Sequence, residues 1–133
     1  MILGIGTDLL EISRMEKALE RESFSLRVFT EEERRQARGR VSFLAGCFAV
    51  KEAVAKCFGT GFSEGIAPDQ IEVLRDERSC PFARLHGAAL ARFRDLGGTG
   101  IHVSISDTRT LVTAVAVLEG GERHDGGEGN PDS

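Results

Sequence analysis

The spacing of apolar residues changes several times along the chain, and each change marks an element. Residues 2–7 (ILGIGT) read as a strand, with Ile2, Gly4, Gly6 and Asp8 on one face and Leu3, Ile5 and Thr7 on the other. Leu9, Ile12, Met15 and Leu19 then recur at helical intervals, so the period predicts a helix opening near Asp8, with Asp8 and Glu11 placed as a capping box. Thr30 and Glu33 form a second such box before a short charged helix. The longest helical pattern covers 42–58 (SFLAGCFAVKEAVAKCF) and stops at Gly59 and Gly61. Ile71–Leu74 and Pro81–Leu85 read as strands joined by a polar turn, and 87–96 as a helix closed by Gly97 and Gly98. Ile101–Ser106 alternates strictly, with Ile101, Val103 and Ile105 inward. Thr113–Leu118 is apolar on both faces, which predicts a buried central strand, and the short DTRTL segment predicts an antiparallel hairpin between these two.

Strands mixed with helices, without βαβ alternation, place the chain in the α+β class: a small antiparallel sheet packed against a long helix. The 133 residues suit one domain, and a hydrophobic fraction of 41% with Phe as the sole aromatic type implies a core of aliphatic packing. That domain is expected to span 1–119. Residues 120–133 are rich in Gly and carry Glu122, Asp125, Glu128 and Asp132 against Arg123, the composition of a disordered acidic tail.

Charge narrows the function classes. The net charge is −4, which speaks against a nucleic-acid binder. Residues 14–40 nevertheless hold eight basic side chains against six acidic ones, a surface for an acidic partner. No apolar run approaches the ~20 residues of a membrane span. Cys47 and Cys57 lie roughly 15 Å apart on one predicted helix and Cys80 has no CxxC partner, so reduced thiols and a cytoplasmic setting are expected.

Four groups of residues have chemical potential. Gly4 and Gly6 leave a bare strand face that admits close approach, and Asp8 ends it with a carboxylate; an N-cap is the simpler role for that Asp. Ala45, Ala49, Glu52 and Lys56 share one helix face, where Glu52 and Lys56 make either a charged site or an ordinary i,i+4 ion pair. Gly59-Thr60-Gly61 is a helix C-cap or a turn whose amides face a phosphate. His102, Ser104, Ser106, Asp107 and Thr108 form a polar strand face, whether solvated or functional.

Taken in order, GIGTDLLEISR, FAVKEAVAKCFGTG and HVSISDT resemble the three signatures of the small bacterial holo-acyl-carrier-protein synthases, and the likeness runs from Ile2 to about Glu119. The resemblance implies a phosphopantetheinyl transferase fold, assembly as a homotrimer, and transfer of the 4'-phosphopantetheine of coenzyme A to a serine of apo acyl carrier protein, with Mg²⁺ and release of 3',5'-ADP. It implies Asp8 and Glu52 as metal ligands and, with Lys56, as the catalytic set. It also implies Lys56, Gly59, Thr60, Gly61, Ser106, Asp107 and Thr108 as contacts for coenzyme A. Arg14 matches a docking residue for the carrier protein, and Arg21 and Arg27 extend the same basic surface. Two residues depart from the pattern: Cys47 stands where relatives often carry Arg, and Asp107 where they often carry His. A pyrophosphate hydrolase built on the same carboxylates, and a non-catalytic homologue that binds coenzyme A or a carrier protein, are the competing readings.

Overall fold

The structure is a computed structural model that describes residues 1–121. Its elements run β1 (Ile2–Glu11), α1 (Ile12–Ala18), α2 (Glu22–Val28), α3 (Glu31–Ala37), α4 (Val41–Cys57), β2 (Ile71–Arg75), β3 (Pro81–Leu85), α5 (Gly87–Asp95), β4 (Gly98–Asp107) and β5 (Leu111–Gly120). Two antiparallel sheets result, one of three strands in the order β1-β5-β4 and one hairpin of β2 and β3. The α+β expectation of a long helix on a small antiparallel sheet holds. The reading of 122–133 as a disordered tail lies outside the described residues, and β5 itself continues to Gly120, whose amide donates to the Met1 carbonyl.

Two expectations need correction. β1 does not end at Thr7, because its pairing with β5 continues through Asp8↔Ala114 to Glu11↔Leu111. Asp8 is therefore a strand residue, and no capping box forms there; α1 opens after Glu11 without a side-chain cap. The continuous ladder outweighs the local capping signal. Secondly, β5 is central, but only one face is buried: Val112, Ala114, Ala116 and Leu118 pack inward, while Val115 and Val117 on the other face are half-buried. The period also missed α2. The second capping box forms as expected: Thr30 Oγ1 accepts from the Glu33 amide at 3.1 Å, and the Thr30 amide donates to Glu33 Oε1 at 2.8 Å.

The core lies between α4 and the inner face of the three-stranded sheet. Ala45, Ala49, Val50, Ala53 and Val54 are fully buried on α4. β1 approaches this helix more closely than side chains allow. A Cβ on Gly4 would lie 2.5 Å from the Cys57 carbonyl oxygen, and one on Gly6 would lie 2.0 Å from that of Ala53. Only glycine permits that spacing. His102, Ser104 and Ser106 face outward on β4, as the alternation required.

A buried ion pair ties the other half of the chain to α4. Lys51 Nζ donates to Glu33 Oε1 at 3.0 Å, to the Pro68 carbonyl at 2.9 Å and to the Ile71 carbonyl at 2.8 Å. Glu33 Oε2 accepts from the Val73 amide at 2.7 Å. One pair thus joins α3, α4, the 3-10 turn at Pro68–Gln70 and β2. Burial pushes the Lys51 amine down from its ordinary pKa, and Glu33 opposes that shift.

Two substitutions test this frame in denaturant titrations. Gly6→Ala is expected to cost about 3 kcal/mol, the upper end for overpacking, because the clash is with backbone rather than with a flexible side chain. Lys51→Met leaves Glu33 buried without a counter-charge and is expected to cost about 3–5 kcal/mol, with part of the loss recovered in Lys51→Met/Glu33→Gln.

Candidate functional site

Packing of β1 on α4 sets Asp8 beside Glu52 and Lys56. Lys56 Nζ lies 3.5 Å from Asp8 Oδ1 and donates to the Thr7 carbonyl at 2.7 Å. The i,i+4 ion pair of Glu52 and Lys56 suggested by spacing does not form; Lys56 crosses to β1 instead, where a carbonyl and a carboxylate both face it. Its side chain stays 53% exposed, so the ammonium is open to an incoming anion.

Asp8 and Glu52 line one cleft of ≈ 380 Å³ together with Arg14, Phe24 and Phe48. Burial raises the Asp8 carboxyl above its ordinary pKa, and Lys56 pulls it back. Burial raises Glu52 as well, the nearby Asp8 charge adds to the rise, and Lys56 alone opposes it. Two carboxyls whose charged forms are disfavoured by burial, one of them also by its neighbour's charge, favour a cation between them. Among the described residues no group of three or more His, Cys, Asp or Glu side chains converges on one point, so the chain offers an ion two carboxylates at most here. That donor set fits Mg²⁺, which takes few protein oxygens and fills its shell with water and phosphate.

The Gly59–Gly61 turn follows directly. Gly59 and Gly61 take φ of 76° and 60°, and their amides donate to the Lys56 and Ala55 carbonyls at 3.0 and 3.2 Å. The turn is thus a helix C-cap whose glycine amides are already engaged, and of the two roles left open by sequence, geometry supports this one. The chain reverses here beside Lys56, with Thr60 at its tip.

Ser106, Asp107 and Thr108 lie elsewhere. They end β4, two strands across the sheet from β1, and are exposed. Thr108 Oγ1 accepts from the Leu111 amide at 3.1 Å, which makes it a hairpin residue. Asp107 lines a second cleft of ≈ 260 Å³ with Arg40, Ser42, Phe43, Gly46 and Arg75. Within one chain, the structure does not join these three residues to Asp8, Glu52 and Lys56. Arg40 and Arg75 escaped the sequence reading. Their guanidinium carbons lie 5.0 and 4.5 Å from the Phe43 ring centre. Arg75 Nε is buried without a partner, the single such side-chain atom among the described residues. The signal available for Arg75 was an Arg closing a strand, IEVLR, whose other residues are apolar except Glu72.

Cys47 turns away from this cleft. Its thiol contacts the Val73 carbonyl at 3.5 Å, and burial pushes its pKa up to about 12. The departure at this position thus puts a small inert group in the core while Arg75 reaches the same helix at Gly46, 3.3 Å from where a Cβ would sit. Cys57 is buried and Cys80 exposed, and all three thiols are free.

Arg14 and Arg21 line a further hollow of ≈ 420 Å³ with Lys17, Ala18 and Glu20. Arg27 is exposed and lies 6.0 Å from the Phe24 ring centre. Arg14 and Arg21 thus share one hollow beside α1, and Arg14 also borders the carboxylate cleft. Leu26, 57% exposed, adds an apolar point beside them.

The chain is similar to known proteins over most of its length. Residues 4–113 match the model of the 4'-phosphopantetheinyl transferase superfamily. A holo-[acyl-carrier-protein] synthase of Lachnoclostridium phytofermentans is 46% identical over 119 residues, covering 90% of this chain and 97% of that protein. One from Desulfovibrio desulfuricans is 48% identical, covering 90% and 98%. Among solved structures, the holo-(acyl-carrier-protein) synthase of Bacillus anthracis in complex with CoA (3',5'-ADP) superposes with a TM-score of 0.76 at 36% identity, covering 91% of this chain and 99% of that one.

The raised carboxyls have a measurable consequence. A carboxyl whose folded pKa exceeds its unfolded value lowers stability as pH rises from the unfolded to the folded value, and the deficit persists above both. Asp8→Asn and Glu52→Gln are therefore expected to stabilise the metal-free protein at neutral pH by less than about 1 kcal/mol, because both groups are partly screened, which reads as a slightly higher melting temperature. The gain should vanish below the ordinary carboxylate range. Added Mg²⁺ should raise the melting temperature of the wild type and not of either variant.

Proposed function

The chain belongs to the 4'-phosphopantetheinyl transferase superfamily and is an enzyme of the holo-[acyl-carrier-protein] synthase type, and from that membership we propose that it moves the phosphopantetheine group of coenzyme A onto a serine of apo acyl carrier protein, with Mg²⁺ and release of 3',5'-ADP. The observation that carries this reading is the placement of Asp8, Glu52 and Lys56 at one point by the β1–α4 contact.

The chemistry follows from those side chains. The serine hydroxyl attacks the phosphorus that bears the pantetheine arm. Its bond to the bridging oxygen breaks, the hydroxyl proton is lost, and 3',5'-ADP departs with that oxygen. Little covalent work falls to the protein, so catalysis rests on position and charge. Asp8 and Glu52 would hold Mg²⁺, which when bound acts as a Lewis acid toward the pyrophosphate. Lys56, fixed by the Thr7 carbonyl, sets a further positive charge beside that group. Phe24 and Phe48 form an apolar wall of the cleft, which keeps water from the reacting phosphorus.

The Arg40–Arg75 cleft is proposed to take the nucleotide end of coenzyme A, with the two guanidiniums supplying the charge absent at Cys47 and Asp107 at its rim. The separation of the two clefts within one chain supports completion of the site by a neighbouring copy. So does the outer face of the main sheet, where Ile5 and Leu9 are 66% and 67% exposed beside the half-buried Val115 and Val117. We therefore propose a homotrimer, to be checked by light scattering. Among the described residues no helix is long and apolar enough to cross a membrane, and a cytoplasmic enzyme is proposed.

The decisive experiment is the mass of an apo acyl carrier protein after incubation with the enzyme, coenzyme A and Mg²⁺. A gain of one phosphopantetheine is expected with the wild type, and at least ~100-fold slower with Glu52→Gln, the scale of losing one charge-stabilising group. Nucleotide release without that gain would instead identify a hydrolase. Arg14→Glu is expected to raise the KM for carrier protein several-fold and leave that for coenzyme A nearly unchanged, because rim charges act on encounter with an acidic partner.

A further inference from the structure

Helix α4 ends where the proposed phosphate site begins, and that is the electrostatically wrong end of a helix. Its last carbonyls carry partial negative charge, equivalent to roughly half an elementary charge, which repels an anion. Lys56 occupies the last turn, yet its ammonium is drawn towards β1, onto the Thr7 carbonyl and Asp8. A second cation addresses the helix end itself. Arg92, on α5, donates from Nε at 3.1 Å and from Nη2 at 2.8 Å to the Phe58 carbonyl, the oxygen just before the glycine turn. Its Nη2 lies 4.0 Å from the point a Gly59 Cβ would occupy. No other residue of α5 donates a side-chain hydrogen bond to α4 or to the turn among the described residues.

We propose that Arg92 is a positioning residue for coenzyme A: its guanidinium caps and neutralises the carboxyl end of α4, so that the turn beside Lys56 tolerates the pyrophosphate. The proposal rests on the transferase reading above. α5 is the arm that carries it. Phe93 packs against Gly98, where a Cβ would come within 2.5 Å of the ring, and the half-buried Leu96 joins the core, so the helix is set at a fixed height over the turn. Arg92 does two separable things there. The fork geometry stabilises the turn mechanically, and the charge sets the local potential.

Those two contributions divide between variants. Arg92→Lys keeps the charge and loses the two-nitrogen fork. Arg92→Gln loses both. If the charge matters to the substrate, the KM for coenzyme A rises roughly two- to tenfold in Arg92→Gln, the scale of a charge at a helix end. It then returns most of the way to the wild-type value in Arg92→Lys, while kcat and the KM for carrier protein change by less than about twofold. The melting temperature should fall in both variants, since both lose the fork. Arg94→Gln removes the same charge from the same helix without touching Phe58 and should leave the KM for coenzyme A at the wild-type value. Arg92→Met, which retains the aliphatic stem, replaces Arg92→Gln if the latter does not fold.

An unchanged KM for coenzyme A in Arg92→Gln overturns the proposal. So does an equal rise in the Lys and Gln variants that tracks the melting temperature, which would make Arg92 a structural cap alone. Wild-type enzyme transferring no phosphopantetheine in the same assay would instead remove the transferase reading, so the two failures remain distinct.

Discussion

The site depends on how close β1 lies to α4. Two bare positions, Gly4 and Gly6, let the strand backbone rest on the Cys57 and Ala53 carbonyls. This contact sets the site, because Asp8 follows on the same strand face and Glu52 and Lys56 lie on the helix it touches. A larger residue at either glycine would lift the strand and separate the carboxylates. The fold's tightest packing and the proposed reactive centre are thus one feature. Burial raises both carboxyls above their ordinary pKa, and the Asp8 charge adds to the rise at Glu52.

The rest of the chain keeps α4 where this contact needs it. From the side away from β1, the buried Lys51–Glu33 pair ties the helix to α3, β2 and the 3-10 turn. Lys51 and Glu52 are adjacent, so one points into a satisfied polar knot and the other into an open cleft. A buried pair of this kind adds little net stability, because desolvation offsets the attraction. It does set the orientation of α4, since three elements must meet at a single ammonium. That requirement accounts for a polar knot in a core otherwise built of apolar side chains.

Charge is distributed by surface rather than by segment. The carboxylate cleft and the hollow beside Arg21 share Arg14 and Ala18 of α1, while the Arg40–Arg75 cleft opens between the start of α4 and β2. The substitution at Cys47 illustrates the division. A buried thiol there faces β2, and the guanidinium near this turn of α4 comes from Arg75, twenty-eight positions further along the chain. A missing charge in a motif is therefore not a missing charge in the cleft.

Local sequence determined the elements whose signals are periodic or stereochemical. The long helix, the β2–β3 and β4–β5 hairpins, the Thr30–Glu33 box and the glycine stop after α4 all follow from side-chain period, capping and positive φ, which act within a few residues. Residue types alone leave Asp8, Glu52 and Lys56 open between structural and chemical roles, and it is the resemblance of the motifs around them to a known family that implies the chemical ones. Tertiary structure alone decided the rest. Asp8 became a strand residue because β5 pairs with it, a contact more than a hundred positions away in sequence that no local capping signal reveals. Lys56 left Glu52 for Thr7 and Asp8 because β1 arrives beside it. Arg40, Arg75 and Arg92 gained their roles from the carbonyls, rings and clefts that folding placed around them. Ser106, Asp107 and Thr108 were set apart from the carboxylates by the width of the sheet. Apart from Arg40, whose ring and carbonyl partners are within four positions, the partner lies far along the chain, and only packing brings it within reach.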